Sequence, residues 1–225
     1  VTADKTYLQM KMLNTAKGPG VQSLRGQADK IKYPRCMQKV LKEQENLDIV
    51  EGMVEDLIVE DNTVKGVILD DGQKIMGKMV ILTTGTHLKA EILCGHQKHP
   101  SGPDQQKESK YLSTRLAKLG FRIQRLKTGT PPRVDINSVD YSKTTLQPGT
   151  DAKLAFSFRT KEFVPIDQQV PCYLTYTNEK THQIIRDNLH KSSMYGGIVK
   201  GVGPRYCPSI EDKIVKFADK KQHQI

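Results

Sequence analysis

Aromatic residues are scarce in this chain: there is no tryptophan, and the five phenylalanines and eight tyrosines make up 6% of the residues. Cysteine is scarce too. Cys36, Cys94, Cys172 and Cys207 lie far apart with no CxxC pair, which argues against a structural zinc site. Four cysteines in 225 residues do not make a disulfide framework, and reduced thiols of a cytosol or an organelle matrix fit better. Long apolar runs are missing. The longest, Met79–Leu82, has the length of one strand, far short of a membrane span. No secretory signal opens the chain, which starts at Val1, and both ends read as interior to a longer protein. His96 and His99 sit in a polar stretch without suitable partners, so no metal site is expected. There is no P-loop and no GxSxG, and Gly18–Gly20 lacks the preceding strand that a dinucleotide-binding turn needs.

What is abundant is positive charge. Thirty-five lysines and arginines stand against 25 acidic residues, a formal net charge of +10. Such a field favours polyanions, but it fits a lysine-rich solvated surface as well. Hydrophobic residues at 36% and charged residues at 27% support a globular core with a charged exterior.

The patterning predicts a mixed α/β chain. Residues 21–45 read as a helix with apolar and basic faces, kinked or divided at Pro34. Residues 54–59, 64–69 and 74–76 read as three strands, separated by turns at Asp61-Asn62 and Asp71-Gly72, which makes a β-meander. A buried strand over 78–83 then ends in the small-residue turn Thr84-Gly85-Thr86, the kind of place where α/β proteins bind ligands. Residues 95–110 read as an exposed loop. Ser109 is expected to cap a helix that runs to Leu119 and stops at Gly120, followed by a strand over 121–126. Asn178 is expected to cap a helix to about Leu189, and Pro208 or Ser209 to open a last helix through Ala218.

Two segments carry candidate chemistry. In GVGPRYCPSIEDK, residues 201–213, Arg205 offers a fork of donors for a phosphate. Cys207 follows that arginine and precedes an expected helix N-terminus; both features favour a thiolate. The alternative is a cysteine packed in a tight turn. In LKTGTPPR, residues 126–133, Lys127 and Arg133 with two threonines and Gly129 suit a phosphate-bearing ligand. The alternative is a rigid surface turn set by Pro131-Pro132. Cys36, Cys94 and Cys172 lack such surroundings and read as packing residues.

Several long segments, in one order, resemble the GidA/MnmG family. They are MLNTAKGPGVQSLRGQAD at 12–29, VEDLIVEDNTVKGV at 54–67, VILTTGTHL at 80–88, GFRIQRLKTGTPPRVD at 120–135, QVPCYLTYTNEKTH at 169–182 and GVGPRYCPSIEDKIVKFADKKQHQI at 201–225. Gly20 stands for the usual alanine, Gln22 for a common arginine, and SGPDQQKES at 101–109 departs from the family's GGRxG-like stretch, losing an arginine near Pro103.

The resemblance implies an α/β fold: a partial FAD-binding, two-dinucleotide-binding Rossmann-type layer with a β-meander in residues 1–94, and an inserted α/β nicotinamide-binding module in residues 95–225. It implies a tRNA-modifying flavoenzyme. With the GTPase MnmE, such an enzyme adds a (carboxymethyl)aminomethyl group to carbon 5 of the wobble uridine, using FAD, NADH and methylenetetrahydrofolate. It further implies a homodimer, not associated with a membrane, in a bacterial cytoplasm or a mitochondrial matrix. By the same resemblance Val54, Thr84, Gly85, Thr86 and Ser109 contact FAD. The nicotinamide stretch comprises Gly203, Pro204, Arg205, Tyr206, Cys207, Pro208, Ser209, Ile210, Glu211, Asp212, Lys213, Ile214, Val215, Lys216 and Phe217, with Cys207 catalytic. The family's N-terminal GxGxxG fingerprint is not in this chain, so the chain alone is expected to bind FAD poorly and to lack activity. The related folate-dependent tRNA uridine methyltransferase TrmFO and a non-catalytic RNA-binding remnant are the alternative readings.

Overall fold

The computed structural model describes residues 1–201 and 208–225. In chain order the elements are α1 (Thr2–Thr6), β1 (Tyr7–Leu13), β2 (Ser23–Ala28), α2 (Lys32–Lys42), β3 (Val54–Glu60), β4 (Thr63–Leu69), β5 (Lys74–Met76), β6 (Glu91–Cys94) and β7 (Gln97–Pro100). They continue as α3 (Leu112–Lys118), β8 (Thr145–Gln147), β9 (Cys172–Leu174), α4 (Glu179–Asp187) and α5 (Ile210–Lys216). The α/β mixture is as expected. Every pairing between these strands is antiparallel. No helix among the described residues is long and apolar enough to cross a membrane.

Two compact units interleave along the chain. Unit one comprises residues 1–49, 133–177 and 224–225; unit two comprises 50–132 and 178–223. A boundary at residue 94 therefore falls inside unit two, at the end of β6.

In unit one, β1 and β2 form a hairpin, with Lys11 opposite Arg25 and Met12 opposite Leu24. The other edge of β1 is closed by residues far along the chain. Leu8 O accepts from Val170 N at 2.8 Å, Met10 O from Thr150 N at 2.9 Å, and Met10 N donates to Gln169 Oε1 at 3.0 Å. Tyr7 and Met10 are its buried apolar residues. Asp4, 4% exposed, accepts from Phe156 N at 2.8 Å, Ser157 N at 3.1 Å and Thr160 Oγ1 at 2.7 Å. The expected helix over 21–45 is thus a strand followed by a shorter helix. Asp29 accounts for the break: its Oδ1 accepts from Ile31 N and Lys32 N, both at 2.8 Å, and starts α2 there. Pro34 lies in the first turn of α2, where its missing N–H has no intrahelical acceptor to lose, so it divides nothing.

In unit two the meander is as expected, in the order β3-β4-β5. Asp61 and Asn62 both adopt positive φ, 49° and 57°, the mirror-image turn that matches strand twist. Gly120, at φ 93°, ends α3: its N–H reaches Ala117 O at 3.0 Å and Phe121 N reaches Leu116 O at 3.1 Å. Asn178 caps α4 through Thr181 N at 2.9 Å, as expected.

Four expectations fail here. Residues 95–108 are not all loop, because β6 and β7 form a hairpin with Cys94 opposite Gln97, closed by Lys98 Nζ and Glu91 Oε1 at 2.9 Å. Residues 78–83 and 121–126 are irregular rather than strands. Met79 is 86% and Ile81 87% exposed, and no described strand offers them a ladder. Val80 and Leu82, between and after these exposed residues, line an open apolar cleft of about 370 Å³ with Leu57, Val64, Leu116 and Phe121. Cys94 and Cys172 are exposed rather than packed, since each sits at the end of a short two-stranded sheet, whereas Cys36 is half-buried. Ser109 does not cap α3, as the site explains.

Candidate functional site

Three of the expected cofactor-contacting places come together in unit two. Ser109, 5% exposed, places its Oγ 3.3 Å from Val54 O. Its backbone runs beside the segment that follows the Thr84-Gly85-Thr86 turn: Ser109 N donates to His87 O at 3.0 Å, and Lys89 N donates to Ser109 O at 2.7 Å. His87 N in turn donates to Thr84 O at 3.2 Å, which closes the turn, with Gly85 at φ 55°. Gly102 packs against this turn so tightly that a β-carbon would stand 2.7 Å from His87 Nδ1. The β3 start, the small-residue turn and Ser109 are thereby one local assembly.

Glu55 organises it. Its carboxylate accepts from Lys110 N at 3.0 Å and Tyr111 N at 2.7 Å, and its Oε2 is 3.3 Å from Ser109 Oγ. This carboxylate does at the start of α3 what Ser109 was expected to do. No neighbouring residue signals it, because the cap comes from a strand 55 residues earlier. Glu55→Ala should loosen α3 by about 1–2 kcal/mol. Amide exchange over residues 112–118 should quicken while the meander keeps its protection; equal protection in α3 would show that the cap is dispensable.

The second assembly surrounds α5. Ser209 caps the helix, accepting from Asp212 N at 3.2 Å, while Ser209 N lies 3.4 Å from Asp212 Oδ2. Asp212, 3% exposed, is the hub. Lys216 Nζ stands 2.8 Å from Oδ1, Lys127 Nζ 3.6 Å from Oδ2, and Tyr195 donates its hydroxyl to Oδ1 at 3.1 Å. Burial pushes the Asp212 carboxyl up, but the hydrogen bonds from Lys216 and Tyr195 outweigh it and hold the group below the usual carboxylate range. Burial, with the carboxylate acceptor, pushes Tyr195 up. Glu211 Oε1 accepts from Ser192 Oγ at 3.0 Å. Gly201 approaches the LKTGTPPR side closely, since a β-carbon there would stand 3.1 Å from Arg125 O.

These facts sort the expected residues. Lys127, 13% exposed at its side chain, is ion-paired in unit two, whereas Arg133 is exposed and belongs to unit one. Ile214 is core, at 1% exposure, while Val215 and Phe217 are exposed at 41% and 45%. Gly203, Pro204, Arg205, Tyr206 and Cys207 lie outside the described residues. The helix that follows starts at Ile210, and its first turn is satisfied by Ser209 and Asp212. The helix end expected to favour a Cys207 thiolate is thus supplied with its own carboxylate, and Arg205 is left as the neighbouring cation in sequence. Asp212 and Tyr195 escaped the sequence reading as a pair. The sequence predicts the helix start at Pro208 or Ser209 but not the partners that Asp212 gathers there.

The fold and these two assemblies define an α/β protein with a small-residue turn beside a meander and a charged hub at the start of α5. Comparison with known proteins makes the class particular. The family model described as "Glucose inhibited division protein A" matches residues 1–225. The chain is 56% identical over 222 residues to "tRNA uridine 5-carboxymethylaminomethyl modification enzyme MnmG" of Geobacillus kaustophilus (strain HTA426), and 55% identical to the protein of that name from Bacillus thuringiensis (strain Al Hakam). Each alignment covers 99% of this chain and 35% of the relative. The solved structure of Aquifex aeolicus GidA in its form I crystal is similar over 100% of this chain and 38% of its own, with a TM-score of 0.87 and 48% identity. The chain belongs to the glucose inhibited division protein A family, and it spans about a third of the length of the curated relatives it matches.

Proposed function

We propose that the whole protein to which this chain corresponds is an FAD-dependent enzyme that modifies carbon 5 of the wobble uridine of tRNA, installing a (carboxymethyl)aminomethyl group. The observation that carries this reading is the identity above one half across 99% of the chain with enzymes named for that reaction. NADH as reductant, methylenetetrahydrofolate as one-carbon donor, the GTPase MnmE as partner and a homodimeric assembly complete the reading.

The described residues suit part of FAD and not all of it. Val54 O, the Thr84-Gly85-Thr86 backbone and the Ser109 hydroxyl offer hydrogen-bonding groups on one local assembly, appropriate to the edge of a base or a ribose. The start of α3, which follows Ser109 in the chain, is already filled by the Glu55 carboxylate, which would repel a pyrophosphate. In this reading FAD supplies redox chemistry, and these residues orient it. Pro208 to Phe217, with Gly203–Cys207 before them in sequence, form the nicotinamide stretch, and within it Asp212 and Ile214 are buried. Arg133, exposed, is the better placed of the two LKTGTPPR cations for a phosphate, since Lys127 already has a carboxylate.

Two measurements test the reading. The whole-length protein, expressed in bacteria that lack their own wobble-uridine enzyme, should restore the modified nucleoside in tRNA digests; persistence of unmodified uridine would refute it. This 225-residue chain, purified alone, should be colourless. Flavin absorbance near one per chain would show that the pyrophosphate contacts lie within it.

A further inference from the structure

The outer face of α2 has no part in either assembly. At about 100° per residue, Lys32, Arg35, Lys39 and Lys42 fall within a sector of about 80°, over a rise of about 15 Å. All four are exposed. The sector holds no aliphatic or aromatic side chain. The half-buried residues of α2, Cys36 and Met37, lie outside it, and α2 packs beside α1. The ion pair of Lys39 with Glu43 on the stripe, at 3.8 Å, is solvated on both sides, at 76% and 65% exposure, and neutralises little. Asp29 accepts from the amides of Ile31 and Lys32, so the helix end is already supplied and the stripe itself is the free positive feature.

From this we infer that the Lys32–Arg35–Lys39–Lys42 stripe of α2 is a docking surface for the sugar-phosphate backbone of the RNA substrate. The inference rests on the tRNA reading above and assigns a face to it. Four cations in a row present charge without any base-reading fork held in place, which suits contact with successive phosphates and not with sequence. Tyr33, Val40 and Leu41 of α2 are also exposed, outside the stripe, so a lipid surface is the competing occupant that the vesicle measurement separates from RNA.

The test uses the whole-length protein, an unmodified tRNA transcript with a wobble uridine, and the variant Lys32→Gln/Arg35→Gln/Lys39→Gln/Lys42→Gln. Each phosphate contact contributes roughly 0.7–0.9 to the slope of log affinity against log salt. The variant should bind with a slope shallower by at least about 1.4, the value for two lost contacts, at unchanged flavin content. A companion variant, Lys32→Arg/Lys39→Arg/Lys42→Arg, keeps the charge and should keep the slope; it also shows that the helix tolerates substitution. An unchanged slope and affinity in the glutamine variant overturns the inference. So does an unchanged tRNA slope together with lost binding to vesicles one-third phosphatidylserine, which would assign the stripe to a lipid surface. Failure of the wild-type protein to modify tRNA at all would instead overturn the reading beneath it.

Discussion

Cys207→Ser in the whole-length protein is expected to lower wobble-uridine modification by roughly a hundredfold or more, with flavin content and solubility unchanged. Serine keeps the size of the side chain, but its hydroxyl stays protonated near neutrality where a thiol can ionise. Arg205, two residues earlier, is the cation that sequence places beside it. In the proposed reaction the thiolate adds to an electrophilic carbon of the uridine ring, so that carbon 5 becomes nucleophilic, or the thiol gives its proton during one-carbon transfer. Cys36→Ser and Cys94→Ser are the controls and should modify tRNA normally, since Cys94 is exposed and Cys36 stands half-buried on α2. The modified nucleoside in tRNA digests, divided by enzyme level, is the readout. Full activity in Cys207→Ser would reduce that residue to packing and leave Arg205 as the functional group of the segment.

Asp4→Ala should destabilise unit one by about 3 kcal/mol or more, the largest stability effect expected here. It strands two amides and a hydroxyl, from Phe156, Ser157 and Thr160, that are now paired with a buried carboxylate in part-buried hydrogen bonds. Asp4→Asn keeps an acceptor and the volume and should cost less. Denaturant midpoints of the two variants give the comparison, and an Asp4→Ala midpoint equal to wild type would show that water replaces the carboxylate. The pH dependence follows from the same contacts. Burial pushes Asp4 up, but hydrogen bonds from Phe156, Thr160 and Ser157 win, and its carboxyl sits below the usual range, as Asp212 does in unit two. A carboxyl lowered on folding contributes stability that is complete above its unfolded pKa and is lost as pH falls through the folded one. The shares held by Asp4 and Asp212 should therefore be lost only in acid, below the ordinary carboxylate range. In unit two burial also holds the His223 imidazole below its usual value, so a further share is lost as pH falls below the ordinary histidine range. In Asp4→Ala the acid loss in unit one should shrink.

Local grammar was legible in the sequence and distant partnership was not. The Asp61-Asn62 turn, the stop at Gly120, the Asn178 cap and the Ser209 start each depend on a few neighbouring residues, and each was readable. Val54, the threonine turn and Ser109 were named from family resemblance, and the structure brings them together. Their organiser, Glu55, looked like any strand glutamate, because its partners lie 55 and 56 positions away. Lys127 looked like a solvent-facing phosphate ligand, because its carboxylate, Asp212, lies on a helix much later in the chain. Residues 78–83 read as a buried strand from a short apolar run alone. Such a run marks side chains that favour burial; it does not supply the neighbouring backbone that a strand needs. The same limit explains residues 23–28, where helix-compatible spacing gave way to pairing with β1.

The interleaving of the two units has a consequence for synthesis. The chain passes between them at 49/50, 132/133, 177/178 and 223/224, so neither unit is one continuous stretch. On a ribosome Asp4 emerges long before Thr160, the hydroxyl it holds, which lies 156 residues later. At about 5–20 residues per second that interval is roughly 8–30 s. During it β1 has its hairpin partner β2 but not the backbone of Val170, Gln169 and Thr150 that closes its other edge. A nascent chain paused in this interval exposes one unpaired strand edge carrying Leu8 and Met10. Slow translation between residues 50 and 170 should therefore favour capture by chaperones that recognise extended apolar segments, and a faster passage should relieve it.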